Sequence, residues 1–191
     1  MNSIKIVLVG DTKVGKTCIC QQLTEGRVLP NNPSTIGASF RTHVIQTETE
    51  SLPIQIWDTV GQEKYRAISP MYYRLASIVF LVFDLTNETS FHSLNEWVGE
   101  ITEKSQPNIK IVLVGNKCDL VDERRIPLDL ALSFADSIKA IFYTETSATT
   151  GKGIVDLFVR STQCVSQSMK ANQSLCITND TKPDATKSGC C

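Results

Sequence analysis

The segment Gly10-Asp11-Thr12-Lys13-Val14-Gly15-Lys16-Thr17 constrains this chain more than any other. It fits the pattern G-x-x-x-x-G-K-[ST] throughout. An apolar run, Ile4 to Val9, precedes it and an amphipathic stretch follows, so a strand is expected to feed a loop that opens a helix. Glycines let the main chain wrap closely around phosphate groups with its amide hydrogens pointing inward. The start of the helix adds partial positive charge. Lys16 is placed to reach the β- and γ-phosphates, and Thr17 to ligate Mg²⁺. Thr12, Lys13, Val14, Gly15, Lys16, Thr17 and Cys18 are therefore the expected phosphate cradle. The loop alone does not say which nucleotide it holds.

The rest of the chain supplies a sheet for this loop. Ile4-Val9, Ile54-Trp57, Ile78-Phe83, Ile111-Val114 and Ala140-Tyr143 are short runs rich in Val, Ile and Phe without strict alternation, the pattern of parallel strands buried on both faces. Between them, apolar residues recur at helical spacing: Phe91, Leu94, Val98 and Ile101; Leu128, Leu132, Ala135 and Ile138; Ile154, Leu157, Phe158 and Val165. Ser39-Gln46 and Ser51-Asp58 read as a hairpin joined by a polar turn at Thr47-Glu50. The expected fold is an α/β P-loop NTPase: a six-stranded, mostly parallel sheet with one antiparallel edge strand and helices on both faces. Residues 1–168 form one such domain. Residues 169–191, rich in Ser, Thr, Asn and Lys, read as a disordered tail.

Composition narrows the partners. Lys plus Arg total 19 against 20 for Asp plus Glu, which argues against a nucleic-acid binder and against electrostatic attachment to anionic lipid. The seven cysteines are irregularly spaced, with no CxxC pair, so neither a disulfide framework nor a zinc site is expected. Cys18, Cys20, Cys118 and Cys164 read as free buried thiols; Cys176 falls in the tail and Cys190 and Cys191 end the chain. The opening residues lack a secretory pattern, and the Asn-x-Ser/Thr triplets at Asn87, Asn172 and Asn179 then carry no meaning, which makes a cytosolic chain the expectation.

Asn116-Lys117-Cys118-Asp119 follows the Ile111-Val114 run, at a strand end where open α/β sheets bind ligands. An ionised Asp accepts hydrogen bonds and donates none, so Asp119 suits the N1–H and 2-amino group of guanine, a pairing that adenine lacks. Asn116 can tie this segment to the phosphate loop, and the Lys117 stem can cover the base. After the last strand come Glu145-Thr146-Ser147-Ala148, where main-chain amides at Ser147, Ala148 and Thr149 face the guanine oxygen. The plainer alternative is a polar turn with no ligand.

Together these segments resemble the small GTPases of the Ras superfamily over residues 4–168, and most closely the Rab family. Trp57-Asp58-Thr59-Val60-Gly61-Gln62-Glu63 is similar to that family's WDTAGQE. Ser34-Thr35-Ile36-Gly37-Ala38-Ser39-Phe40 resembles its first switch, and Lys64-Tyr65-Arg66 and Tyr72-Tyr73-Arg74 resemble segments typical of Rabs. The wording at Ser34-Ala38 and Pro70-Arg74 is closest to the early-endosomal branch. The resemblance implies that Thr35 closes on Mg²⁺ and the γ-phosphate, that Asp58 binds Mg²⁺ through water, that the Gly61 amide contacts the γ-phosphate and that Gln62 orients the attacking water. Catalysis would then rest on Gln62, Lys16 and Thr35, and the metal on Thr17, Thr35 and Asp58. Ile36, Gly37, Phe40, Trp57 and Tyr72 would form the effector face. The implied protein is a GDP/GTP-cycling switch in vesicle trafficking. Its implied partners are an exchange factor, a GTPase-activating protein, a prenyl-Rab chaperone and effectors. A module that loads GTP but barely hydrolyses it is the alternative, and an adenine-specific P-loop kinase leaves Asn116-Asp119 unexplained.

Five positions depart from the family pattern. Val28 stands where an aromatic usually stacks on guanine, so faster nucleotide release is expected. Lys13 stands where Gly or Ala is usual, and either brings charge to the phosphates in cis or points to solvent. Val60 replaces Ala, Leu75 replaces Gly, and Thr149 replaces a frequent Lys. The ending Ser188-Gly189-Cys190-Cys191 is not a C-a-a-X box but resembles the double-cysteine ending of many Rabs, where both thiols carry geranylgeranyl groups. One lipid chain anchors weakly, and a nearly neutral tail offers no basic patch in support, so two chains are needed. The expected location is the cytoplasmic face of an intracellular, endosomal membrane, with a soluble cytosolic pool.

Overall fold

The computed structural model describes residues 3–29, 38–47, 50–59, 70–73, 75–107 and 109–177, with side chains left undescribed at 70, 71 and 169–177. Among the described residues, six strands form one sheet: β1 (Ile4–Val9), β2 (Ser39–Gln46), β3 (Ser51–Asp58), β4 (Ile78–Asp84), β5 (Lys110–Asn116) and β6 (Phe142–Thr146). Their spatial order is β2-β3-β1-β4-β5-β6. All neighbours are parallel except β2 and β3, which pair antiparallel from Ser39 opposite Asp58 to Gln46 opposite Ser51. The hairpin and the mostly parallel sheet are as expected. The helices are α1 (Lys16–Glu25), α2 (Pro70–Tyr73), α3 (Glu88–His92), α4 (Leu94–Lys104), α5 (Leu128–Ser137) and α6 (Ile154–Ile177).

Two cores explain the continuous apolar runs. Ile6 and Leu8 of β1 face one core with Ile78, Phe80 and Val82 of β4, closed by Ile19 of α1 and by Ile154, Leu157 and Phe158 of α6. Val7 and Val9 face the other with Val79, Leu81 and Phe83, closed by Phe91, Leu94, Trp97 and Ile101 and by Ala131 and Ala135 of α5. Side chains alternate across a strand, so a strand covered on both faces must be apolar at every position. All seven residues of β4 are buried.

Four expectations need correction. The last strand starts at Phe142 rather than Ala140 and runs to Thr146, pairing Val112 with Phe142 through Asn116 with Thr146. It is an edge strand whose outer positions stay partly solvated, so polar Thr144 and Glu145 fit there. In α5, Leu128 and Leu132 are about half exposed (52% and 46%), while Ala131 and Ala135 face the sheet. The apolar residues of this helix allowed two faces, and the small alanines are the ones packed against the core. Among the four thiols, only Cys20 is fully buried. Helix α6 continues through Ile177, past the expected boundary at 168. Residues 154–177 contain neither Gly nor Pro, and extending an existing helix avoids the cost of nucleation. The Phe91-Ile101 stretch is helical as expected but is divided at Ser93 into α3 and α4.

Candidate functional site

The phosphate loop leaves the C-terminal end of β1 and returns as α1. Gly10 and Gly15 both have positive φ, at 139° and 98°, a region that side chains rarely tolerate. A Cβ on Gly10 would overlap the Val82 carbonyl, and one on Gly15 would overlap the Asn116 side-chain amide. The motif's glycines are thus required by neighbours as well as by curvature. Lys16 is buried, and its Nζ donates to the carbonyls of Gly10 and Asp11, each at 2.8 Å. Burial pulls its amino group down to about 8, partly offset by the negative charges of Asp58 and Asp11. Thr12 and Lys13 are exposed on the rim, with Val14 buried beneath them.

Asn116, at the end of β5, joins three segments. Its Nδ2 donates to the Val14 carbonyl at 2.8 Å. Its Oδ1 accepts from Thr146 Oγ1 at 3.1 Å and from the Ala148 amide at 3.3 Å. The expected tie between Asn116 and the phosphate loop is therefore present, with a third segment added. Lys117 has a left-handed backbone (φ 68°), and its Nζ forms an ion pair with Asp84 at 2.5 Å. Asp119 is exposed at the same strand end. Ser147 anchors the following loop through its hydroxyl, which accepts from the Thr150 amide at 3.0 Å; Thr149 is exposed. Behind this loop, Arg124 forks onto Glu145 at 2.6 and 3.0 Å, and Tyr143 donates to the same carboxylate at 2.8 Å. The Arg124 guanidinium holds the Glu145 carboxyl below its ordinary range. Sequence reading missed this bracket, although Arg124 and Glu145 both flank the expected base loops.

On the opposite side, Thr17 Oγ1 donates to Asp58 Oδ2 at 2.6 Å. Asp58 is buried, and its Oδ1 has no hydrogen-bond partner among the described residues. Burial pushes its carboxyl upward despite the Thr17 hydroxyl and the nearby Lys16 charge. A buried carboxylate oxygen without a partner is costly. Two hard oxygen donors side by side, one of them unsatisfied, fit a Mg²⁺ ion. Next to Asp58, Thr59 Oγ1 donates to the Leu8 carbonyl at 2.6 Å and locks this strand end to β1.

Phe40, Trp57 and Tyr72 form a ring chain, with centroids 5.1 and 5.7 Å apart. Phe40 is half exposed, and Trp57 and Tyr72 are partly so. Trp97, deep in the second core, donates its indole N–H to Asp11 Oδ1 at 2.9 Å, a contact that sequence reading did not anticipate. Val28 packs partly buried against the first core. Lys13 and Leu75 both have left-handed backbones, with φ of 66° and 64°. Lys13, standing where the family resemblance expects Gly or Ala, and Leu75, where it expects Gly, thus occupy conformations that favour Gly. Thr35, Ile36, Gly37, Val60, Gly61, Gln62, Cys190 and Cys191 lie outside the described residues.

Residues 5–167 match the model of the Ras family. Over 159 residues the chain is 44% identical to "Ras-related protein Rab-22A" of Homo sapiens, covering 83% of this chain and 81% of that protein. It is 42% identical over 158 residues to "Ras-related protein Rab-31" of Mus musculus, covering 83% and 80%. It is 34% identical over 196 residues to "Ras-related protein RABD2a" of Arabidopsis thaliana, covering 98% of this chain and 95% of that protein.

Proposed function

The chain belongs to the Ras family and is a Rab small GTPase of the early-endosomal branch, and from that premise we propose how its residues bind, hydrolyse and respond to guanine nucleotide. It binds GTP, hydrolyses it to GDP and acts in vesicle trafficking. The observation that carries the site assignment is the Asn116 node, because it fixes the phosphate loop against both base-side segments.

Thr12, Lys13, Val14, Gly15, Lys16, Thr17 and Cys18 cradle the phosphates. Lys16 moves its ammonium from the loop carbonyls to the β- and γ-phosphates, and the nucleotide's charge favours its protonated form. Asp119 takes the guanine edge, Lys117 covers the base, and Ser147, Ala148 and Thr149 line the guanine oxygen. Thr17 and Asp58, with Thr35, would hold Mg²⁺, which when bound neutralises charge on the phosphates. Gln62 positions the attacking water, and the Gly61 amide and Thr35 report on the γ-phosphate. Loss of that phosphate releases the Thr35 and Gly61 segments, and the face made by Ile36, Gly37, Phe40, Trp57 and Tyr72 changes with them. Exchange factor, activating protein, prenyl-Rab chaperone and effectors read that change.

No helix among the described residues is long and apolar enough to cross a membrane. Geranylgeranyl groups on Cys190 and Cys191 would supply the anchor, placing the protein on the cytoplasmic face of endosomal membranes with a cytosolic pool. The domain comprises 1–168, α6 runs past that boundary to Ile177, and residues 178–191 link it to that anchor. Nucleotide identified after denaturing the purified protein, followed by single-turnover hydrolysis for Gln62→Leu, tests the reading. Guanine nucleotide and slowed hydrolysis are expected; bound adenine nucleotide overturns it. An unchanged, negligible rate in both proteins would favour the GTP-loaded binding module. Two prenyl masses at the C-terminus, and a cytosolic Cys190→Ser/Cys191→Ser double variant, test the anchor.

A further inference from the structure

Asp11 is the second residue of the phosphate loop, and the nucleotide chemistry above makes no use of its side chain. Its carboxylate instead accepts the Trp97 indole N–H at 2.9 Å. Its carbonyl accepts Lys16 Nζ at 2.8 Å. Residue 11 is thus gripped twice, by α4 through its side chain and by Lys16 through its main chain. Trp97 is 1% exposed and shares the second core with Leu94 and Ile101 of its own helix and with Val7 and Val9 of β1. The strand that launches the loop and the helix that grips it are therefore packed into one body. A buried indole needs an acceptor, and a carboxylate gives a charge-assisted bond with a fixed direction.

We propose that Trp97 is a positioning residue for bound nucleotide. Its indole fixes the Asp11 end of the phosphate loop, and so fixes the loop curvature and the aim of Lys16. The inference rests on the guanine-nucleotide reading of the site. Trp97→Phe keeps a ring in the core and removes the donor. Asp11→Ala removes the acceptor, and Asp11→Asn keeps an oxygen there.

The test is release of fluorescent GDP from the full chain in Mg²⁺ buffer, with melting temperatures recorded alongside. Trp97→Phe and Asp11→Ala are each expected to speed release about tenfold, the scale of one hydrogen bond to a charged group. The double variant releases no faster than either single one, and Asp11→Asn recovers most of the loss. Ile101→Val, a core change on the same helix, lowers the melting temperature without changing release. Release by Trp97→Phe within twofold of the wild type overturns the proposal. So does an additive double variant, or Asp11→Asn as fast as Asp11→Ala. Should Trp97→Phe fail to fold, the two Asp11 variants decide alone. A wild type that holds no guanine nucleotide overturns the site reading itself, whereas a wild type that holds it beside an unaffected Trp97→Phe overturns only the role of Trp97.

Discussion

The proposed base side and the proposed metal side of the nucleotide site are built on opposite plans. On the base side, Asn116 bonds to Val14, Thr146 and Ala148, and Arg124 and Tyr143 close a second bracket on Glu145. Every one of these bonds exists within the protein. On the metal side, Thr17 and Asp58 share one bond, and Asp58 Oδ1 is buried without a partner among the described residues. The first plan spends protein hydrogen bonds to preform a rigid receptor. The second leaves an electrostatic deficit that a cation can fill. On the proposed assignment, the side that identifies the nucleotide is fixed in advance, and the side that senses the phosphates depends on what is bound.

The largest effect should come from breaking the preformed side. Asn116→Ala strands three groups, so GDP release should rise about a hundredfold at roughly 1 kcal/mol per lost bond, and the nucleotide-free protein should lose stability as well. Asp58→Asn should act in the opposite sense on the empty protein. It removes a buried charge that the Thr17 hydroxyl and Lys16 offset only in part, so stability in EDTA should rise by about 1 kcal/mol while the Mg²⁺ dependence of nucleotide binding weakens at least tenfold. Thermal melts with and without metal distinguish the two variants; equal destabilisation would erase the contrast. Val28→Phe should sharpen it by giving the base side a stacking face, slowing GDP release about fivefold. An unchanged off-rate removes the explanation offered for Val28.

Smaller effects test the outer bracket. Arg124 depresses the folded-state value of Glu145, so the pair stabilises the protein at neutral pH. That contribution is lost as pH falls below the ordinary carboxylate value of 4.5 and through the depressed one. Glu145→Gln should therefore cost stability at pH 7, about 0.5–1 kcal/mol for a partly solvated pair, and the gap to wild type should close in acid. Urea midpoints across pH check this. Leu75→Gly lies outside both sides. Relieving its left-handed backbone should raise the unfolding free energy by about 0.5 kcal/mol, read from urea titration, without altering nucleotide release.

What was legible in the sequence follows from how local each signal is. The phosphate loop and the Ser39-Asp58 hairpin are carried by contiguous residues, and both appear where expected. The Asn116 tie was legible because its chemistry is specific. The Thr146 arm was not, since a Thr in an edge strand reads as ordinary sheet. The Asp11–Trp97 bond joins residues 86 positions apart, and no local pattern announces it. The reach of α6 was hidden because polar composition and helix breaking are different properties. Ser, Gln, Asn and Lys made residues 169–177 look like tail, but none of them stops a helix.

The strand order also carries a schedule for folding. Among the described strands, β2 and β3 pair as a hairpin, and β4–β5 and β5–β6 pair across about thirty residues, whereas β1 must wait for β3, about fifty residues on, and for β4, about seventy on. Hairpins close in microseconds, whereas pairings between distant segments carry a larger loop-closure cost and slow the search. The strand that launches the phosphate loop is flanked on both sides by such late pairings. Nucleotide affinity should therefore be among the last properties a refolding chain acquires, after hairpin structure and much of the helix content have returned.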